Sequence, residues 1–193
     1  MWRPRPRRPE RVAPARPADA FVSARIAVVV GNPHARSRTY DSAVTLADRL
    51  GGADLVVDLA DHASELLDWT SETVAGLVEQ VAGSLVVIVA SPTYKATYTG
   101  LLKAFLDRFP HQGLGGVTAI PLMLGASPAH SLAPEQGLRQ VLVELGASVP
   151  TRSLYVLDAE HAEPAAYDAW FAAAEQLLPA LPHAPATRRG VCA

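Results

Sequence analysis

Apolar runs and amphipathic stretches alternate five times along the chain. The first run, from Arg25 to Val30, contains Ile26-Ala27-Val28-Val29-Val30 without polar interruption. Such a run suits a strand buried on both faces. Runs of the same kind predict further strands over Leu55–Leu59, Leu85–Ala90, Val117–Leu124 and Val149–Leu157. Between them, apolar positions at helical spacing predict helices over Thr39–Leu50, up to Ala82 from an N-cap at Ser71, and over Tyr98–Phe109, Leu132–Leu145 and Pro164–Leu181. Gly51-Gly52 and Gly83 supply helix stops. Pro121 falls inside the fourth strand, where the missing N–H predicts a bulge or an early strand end.

Strand and helix alternating in this way predict one doubly wound α/β domain, a five-stranded parallel sheet with helices on both faces. Sheets of this size commonly take the order 2-1-3-4-5. Ligands then sit above the carboxyl ends of strands 1, 3 and 4.

The chain has 193 residues, 49% apolar and 19% charged, a globular composition without a run long enough to span a bilayer. Charge is uneven. Residues 1–16 hold six arginines against Glu10, a net of +5, which leaves −7 for the remainder. A mildly acidic body argues against nucleic acid as partner. The Arg/Pro-rich segment 1–22 is expected to be a disordered tail, 23–181 the folded domain, and 182–193 a C-terminal tail. Cys192, the single cysteine, lies in that last tail, so no disulfide or cysteine-based metal site is expected and the cytoplasm is the expected location.

Two of the three loops carry distinctive chemistry. After strand 1 comes Gly31-Asn32-Pro33-His34-Ala35-Arg36-Ser37-Arg38-Thr39, which brings an amide, hydroxyls and two cations directly to a helix N-terminus. Unpaired N–H groups and the helix dipole make such an end a seat for phosphate. It matches neither G-x-G-x-x-G nor G-x-x-x-x-G-K-[ST], which leaves a monophosphate cradle or an ordinary capped helix. After strand 3 comes Ser91-Pro92-Thr93-Tyr94-Lys95-Ala96-Thr97, then Tyr98-Thr99-Gly100-Leu101-Leu102-Lys103. Its small and hydroxylated residues let main-chain amides approach a flat polar ring such as a flavin, and Tyr94 offers an aromatic wall. An ordinary turn, with Thr97 capping the helix, fits the same residues. The stripe Tyr98, Leu101, Leu102, Phe105 and Leu106 reads as core, with Tyr98 and Phe109 extending toward a subunit contact.

These loops resemble those of the NADPH-dependent FMN reductase family, whose phosphate loop is often G-S-P-R-x-x-S-R-T and whose flavin loop is T-P-x-Y-x-x-x-Y-[ST]-G-x-L-K. A third stretch agrees: Gly125-Ala126-Ser127-Pro128-Ala129-His130, followed by Leu138-Arg139 and Leu145-Gly146-Ala147. The likeness runs from Ile26 to Ala147. It implies a flavodoxin-like fold, FMN, and NADPH or NADH as hydride donor. It also implies a homodimer or homotetramer and, in the branch it most resembles, service to an alkanesulfonate monooxygenase. On this resemblance the FMN-binding residues are Asn32, His34, Arg36, Ser37, Arg38, Thr39, Pro92, Thr93, Tyr94, Lys95, Ala96, Thr97, Gly125, Ala126 and Ser127. Asn32 and His34 stand where the family carries Ser and Arg, and Gly125-Ala126-Ser127 replaces a Gly-Gly pair. Gln136 stands where that branch has an aromatic residue on a distorted helix.

The flavin carries the redox chemistry, so no catalytic side chain and no metal ligand is expected. His111 and His130 read as solvated or capping residues, and His62, His161 and His183 are poorly spaced for a metal. The alternatives are an FMN-containing quinone or azo-dye reductase, a non-enzymatic flavodoxin-type electron carrier, and a flavin-free binding module on the same sheet. A chain starting near Ala20 should keep its melting temperature and its affinity for FMN; a large loss of either would show that the N-terminal segment packs on the body.

Overall fold

The structure is a computed structural model that describes residues 25–178. The expected tails at 1–22 and 182–193 lie outside the described residues. Five parallel strands, β1 (Ile26–Val30), β2 (Leu55–Asp58), β3 (Val86–Pro92), β4 (Thr118–Gly125) and β5 (Leu154–Leu157), form one sheet in the order β2-β1-β3-β4-β5. The helices are α1 (Arg38–Arg49), α2 (Glu72–Ala82), α3 (Gly100–Leu106), α4 (Arg139–Glu144) and α5 (Ala165–Ala174).

Successive side chains on a strand point to opposite faces, and here both faces are apolar. Ala27, Val29, Val87, Val89 and Met123 join one core with Val74, Val78, Leu102, Phe105 and Leu142. Ile26, Val28, Val30, Ile88 and Leu122 join the other with Ala43, Leu46, Ala47 and Tyr167. Helices α2, α3 and α4 therefore cover one face, and α1 and α5 the other. Ser71 caps α2 as expected, its Oγ accepting from Val74 N–H at 3.2 Å.

Several boundaries differ from the sequence expectation. Pro121 neither bulges nor ends β4: it pairs in register with Val89. Thr118 N–H donates toward the β3 side, to Leu85, and Ala119 N–H toward the other side, to Ser148. Alternation puts the missing donor of Pro121 on that second side too. The ladder with β5 begins only at Leu122, so no bond is lost. β5 is correspondingly short, because the carbonyls of Val149 and Thr151 accept from the Arg139 guanidinium at 2.7 Å each instead of joining a ladder. Helix α3 starts at Gly100, capped by Thr99 rather than Thr97. It ends at Leu106, where Arg108 and Phe109 bond back three residues ahead of Pro110. Leu102, Phe105 and Leu106 of its apolar stripe are buried in the chain's own core. α5 is likewise shorter than expected.

The helix expected over Leu132–Leu145 opens with a π-turn, Pro134–Leu138, before α4. Arg139 N–H donates five residues back, to Pro134 O. Gln136 is exposed in that turn, so the distortion forms here without an aromatic residue at that position.

Gly31, directly after β1, lies against α3, and a β-carbon there would overlap that of Leu102. Gly31→Ala should destabilise the protein by about 1–3 kcal/mol, the usual range for overpacking a filled core. Urea denaturation of the two proteins measures it; equal midpoints would refute the close approach.

Candidate functional site

Three loops meet at the carboxyl edge of β1, β3 and β4, and hydrogen bonds tie them together. Gly31 N–H donates to Ala90 O (2.7 Å), and Thr99 Oγ1–H donates to Gly31 O (2.5 Å). Ser91 Oγ accepts from Thr99 N–H (3.1 Å) while donating to Pro92 O (2.9 Å). Thr93 N–H reaches across to Leu124 O (2.6 Å). Thr99 thus caps α3, the role the sequence reading gave to Thr97, and holds the end of β1 in the same step. The motif Thr97-Tyr98-Thr99 offered two hydroxyls at nearly the same place, and only the fold distinguishes them.

In the first loop, Asn32 is buried and serves the loop itself. Its Nδ2–H donates to Thr39 Oγ1 (3.1 Å) and its Oδ1 accepts from His34 N–H (2.9 Å). Ser37 is the N-cap of α1, accepting from Tyr40 N–H at 3.4 Å. The main-chain N–H groups of Ser37, Arg38 and Thr39 have no partner among the described residues. They are the donors a helix start leaves over. The His34 and Arg38 side chains are exposed beside them.

Arg36 behaves differently from the other cation. Its guanidinium reaches Asp58 Oδ2 at 2.8 Å and Asp61 Oδ2 at 3.0 Å and lies over the Tyr40 ring at 5.1 Å. Hydrogen bonds to Asp58 and then Asp61 raise its already high pKa further. Both carboxylates were missed in the sequence. Asp58, which ends a clean strand run at the carboxyl edge, was the signal available.

The second loop is a tight hairpin. Tyr94 N–H donates to Thr97 O (2.9 Å) and Thr97 N–H to Tyr94 O (3.2 Å). Lys95 and Ala96 at its tip both have positive φ, 52° and 66°. That geometry suits a two-residue turn of the primed type. The amides of Tyr94 and Thr97 are used within the hairpin, whereas those of Lys95 and Ala96 have no partner among the described residues. Tyr94 is 46% exposed, so its ring is presented to solvent and not packed.

The third loop, Gly125-Ala126-Ser127, closes the edge. A β-carbon on Gly125 would collide with the Tyr155 hydroxyl and come 3.2 Å from Thr93 Oγ1. Tyr155 O–H donates to Ser127 O (2.7 Å), and Ser127 Oγ accepts from Ala129 N–H (3.2 Å). The Thr93 hydroxyl is buried here and makes no hydrogen bond of good geometry. Burial pushes the Tyr155 phenol above its ordinary pKa, an effect tempered by the nearness of Thr93. Behind the hairpin, Gly137 of the π-turn packs on Thr97 and Tyr98.

Pro92 is buried at the end of β3, and Ala126 is exposed. All fifteen expected residues therefore lie in these three loops or at their roots. His111 does not join them: it lines a groove of about 430 Å³ with Val78, Glu79 and Gln112 at the opposite edge of the sheet. Among the described residues no group of three or more His, Cys, Asp or Glu is placed to hold a metal. No helix there is long and apolar enough to cross a membrane.

Comparison with known proteins agrees with this fold. The family profile described as NADPH-dependent FMN reductase matches residues 24–162. A relative from Escherichia coli named FMN reductase (NADPH) is 32% identical over 142 residues, 70% of this chain and 74% of its own. A Pseudomonas putida relative, named NADH-dependent FMN reductase SfnF, is 30% identical over 159 residues, 75% of this chain and 86% of its own. Among solved structures, the apo form of the NADH:FMN oxidoreductase EmoB superposes with a TM-score of 0.72 at 34% identity, covering 84% of this chain and 92% of that one. With a flavodoxin-like sheet and loops of this kind, the chain belongs to the NADPH-dependent FMN reductase family.

Proposed function

We propose that this protein is an NAD(P)H-dependent FMN reductase whose FMN lies across the three loops at the carboxyl edge of the sheet. The observation that carries this reading is the set of unpartnered main-chain donors at the start of α1, next to Arg38, beside the hairpin of β3. Phosphate needs donors and positive charge, and both are there. The fit extends to the ring: the Lys95 and Ala96 amides are free for a polar ring edge, with Tyr94 beside them, and the buried Thr93 hydroxyl at the root of the same loop lacks a hydrogen-bond partner.

When bound, FMN takes up the hydride of the reduced nicotinamide, so the polypeptide need only bind and orient the two rings. Ser37, Arg38 and Thr39 hold the phosphate through main-chain N–H groups. Gly125 lets the Tyr155 hydroxyl and the Thr93 side chain close the floor of the site. Tyr94 stays exposed, which leaves one side of the site open for the second nucleotide.

The reading includes three further parts. The protein works as a homodimer or homotetramer, supported by half-buried Leu101 and Ala104 on α3 and by Leu132, just ahead of the π-turn, and Val143 of α4, each more than half exposed. It supplies reduced flavin to a monooxygenase, and it resides in the cytoplasm. Sedimentation that gives only a monomer at micromolar concentration would refute the first of these.

FMN should bind much more tightly than riboflavin, since charge-assisted hydrogen bonds contribute on the order of 1.5–3 kcal/mol each. Equal affinities by fluorescence quenching would overturn the site. Tyr94→Ala should weaken FMN by about 1–2 kcal/mol, the scale of an aromatic contact, and riboflavin equally. Ser37→Ala, which removes the cap of α1, should weaken FMN and spare riboflavin. If neither variant changes FMN affinity or NAD(P)H turnover, the site lies elsewhere.

A further inference from the structure

Asp58 is the single buried carboxylate among the described residues; its side chain is 2% exposed. A buried charge needs partners, and nearly all of those it has come from one residue. Asp58 Oδ2 accepts from both the main-chain N–H (2.9 Å) and the guanidinium Nη1 (2.8 Å) of Arg36. Oδ1 accepts from Ala60 N–H at 3.4 Å, at the start of the turn Leu59–His62.

Arg36 is held in a conformation that arginine rarely adopts, with φ at 51°. The left-handed residue reverses the chain directly before Ser37, so that the next amides belong to the start of α1. With its N–H on Asp58, its guanidinium on Asp58 and Asp61, and its plane over Tyr40, Arg36 is tied to residues on both sides of the loop although its side chain is 60% exposed. A side chain so engaged serves as a strut.

From this geometry we infer that Asp58 is a positioning residue for FMN: by fixing Arg36 in the left-handed conformation, it sets the Ser37–Thr39 amides for phosphate and leaves Arg38 as the loop's phosphate-facing cation. The inference rests on the proposed phosphate site. It adds to that site a residue of β2 that has no need to touch the ligand, and it takes the Arg36 side chain out of direct contact.

The test measures dissociation constants for FMN and riboflavin by fluorescence quenching in the wild type, Asp58→Asn, and Asp58→Asn combined with Arg36→Gly, with thermal denaturation of each. Glycine takes positive φ without a partner to hold it there. The expected result is a roughly tenfold loss of FMN affinity in Asp58→Asn, riboflavin affinity within twofold, and recovery of most of the FMN affinity in the double variant. Recovery on removal of the arginine is the signature of a strut, because loss of a phosphate ligand would deepen the defect. Three results overturn the inference: an unchanged FMN-to-riboflavin ratio in Asp58→Asn, an equal loss for both ligands, or a double variant weaker than the single one. A wild type that does not discriminate FMN from riboflavin overturns the phosphate site itself, and this inference with it.

Discussion

The sheet has no face to spare. β1 and β3 are buried on both sides by their own sequence, so each connection between strands must lay a helix over one face or the other. Parallel strands joined through helices put every strand-to-helix loop at the carboxyl edge. With both faces committed to apolar packing, that edge is where glycines, hydroxyls and unpaired amides can collect.

The loops at the edge do not stand independently. Thr99 ties the end of β1 to the start of α3, Thr93 ties the β3 loop to β4, and Tyr155 of β5 ties itself to the β4 loop. A displacement at one loop is therefore carried to the next by hydrogen bonds a few residues apart. The region proposed to hold the phosphate and the region proposed to hold the ring share one scaffold, with Gly31 and Gly125 as the points of closest approach.

The strands and helices were legible in the sequence because they follow from local patterns, and the sheet order because doubly wound sheets of five strands commonly take it. Unbroken β-branched runs declare a two-faced strand, and Ser71 or Gly83 punctuates a helix wherever it occurs. The three loops of the proposed site stood out through their resemblance to a family. What escaped depended on partners distant in sequence. Thr97 and Thr99 are equivalent caps until Gly31 O is placed beside one of them. Arg36 reads as a free cation until β2 and the turn after it bring Asp58 and Asp61 to it. Pro121 reads as a strand breaker until the late start of the β5 ladder is known. The strand expected from Val149 begins only at Leu154, because a distant residue, Arg139, takes the carbonyls of Val149 and Thr151.

The π-turn ahead of α4 sets an uncommon rule for chain length. A π-turn holds one residue more than the α-helix would use for the same turn. In an ordinary helix, losing one residue rotates everything beyond it by about 100° and ruins its packing. Here, deleting one residue within Pro134–Leu138 would yield a regular helix with its later turns still aligned on the core. The cost would fall on the contacts that the extra residue now sets: the Glu135 carboxylate, which accepts from Ser153 N–H at 2.8 Å, and the Gly137 backbone, seated on Thr97 and Tyr98. The fold has room for a shorter chain at this point, while the back of the β3 hairpin depends on the longer one.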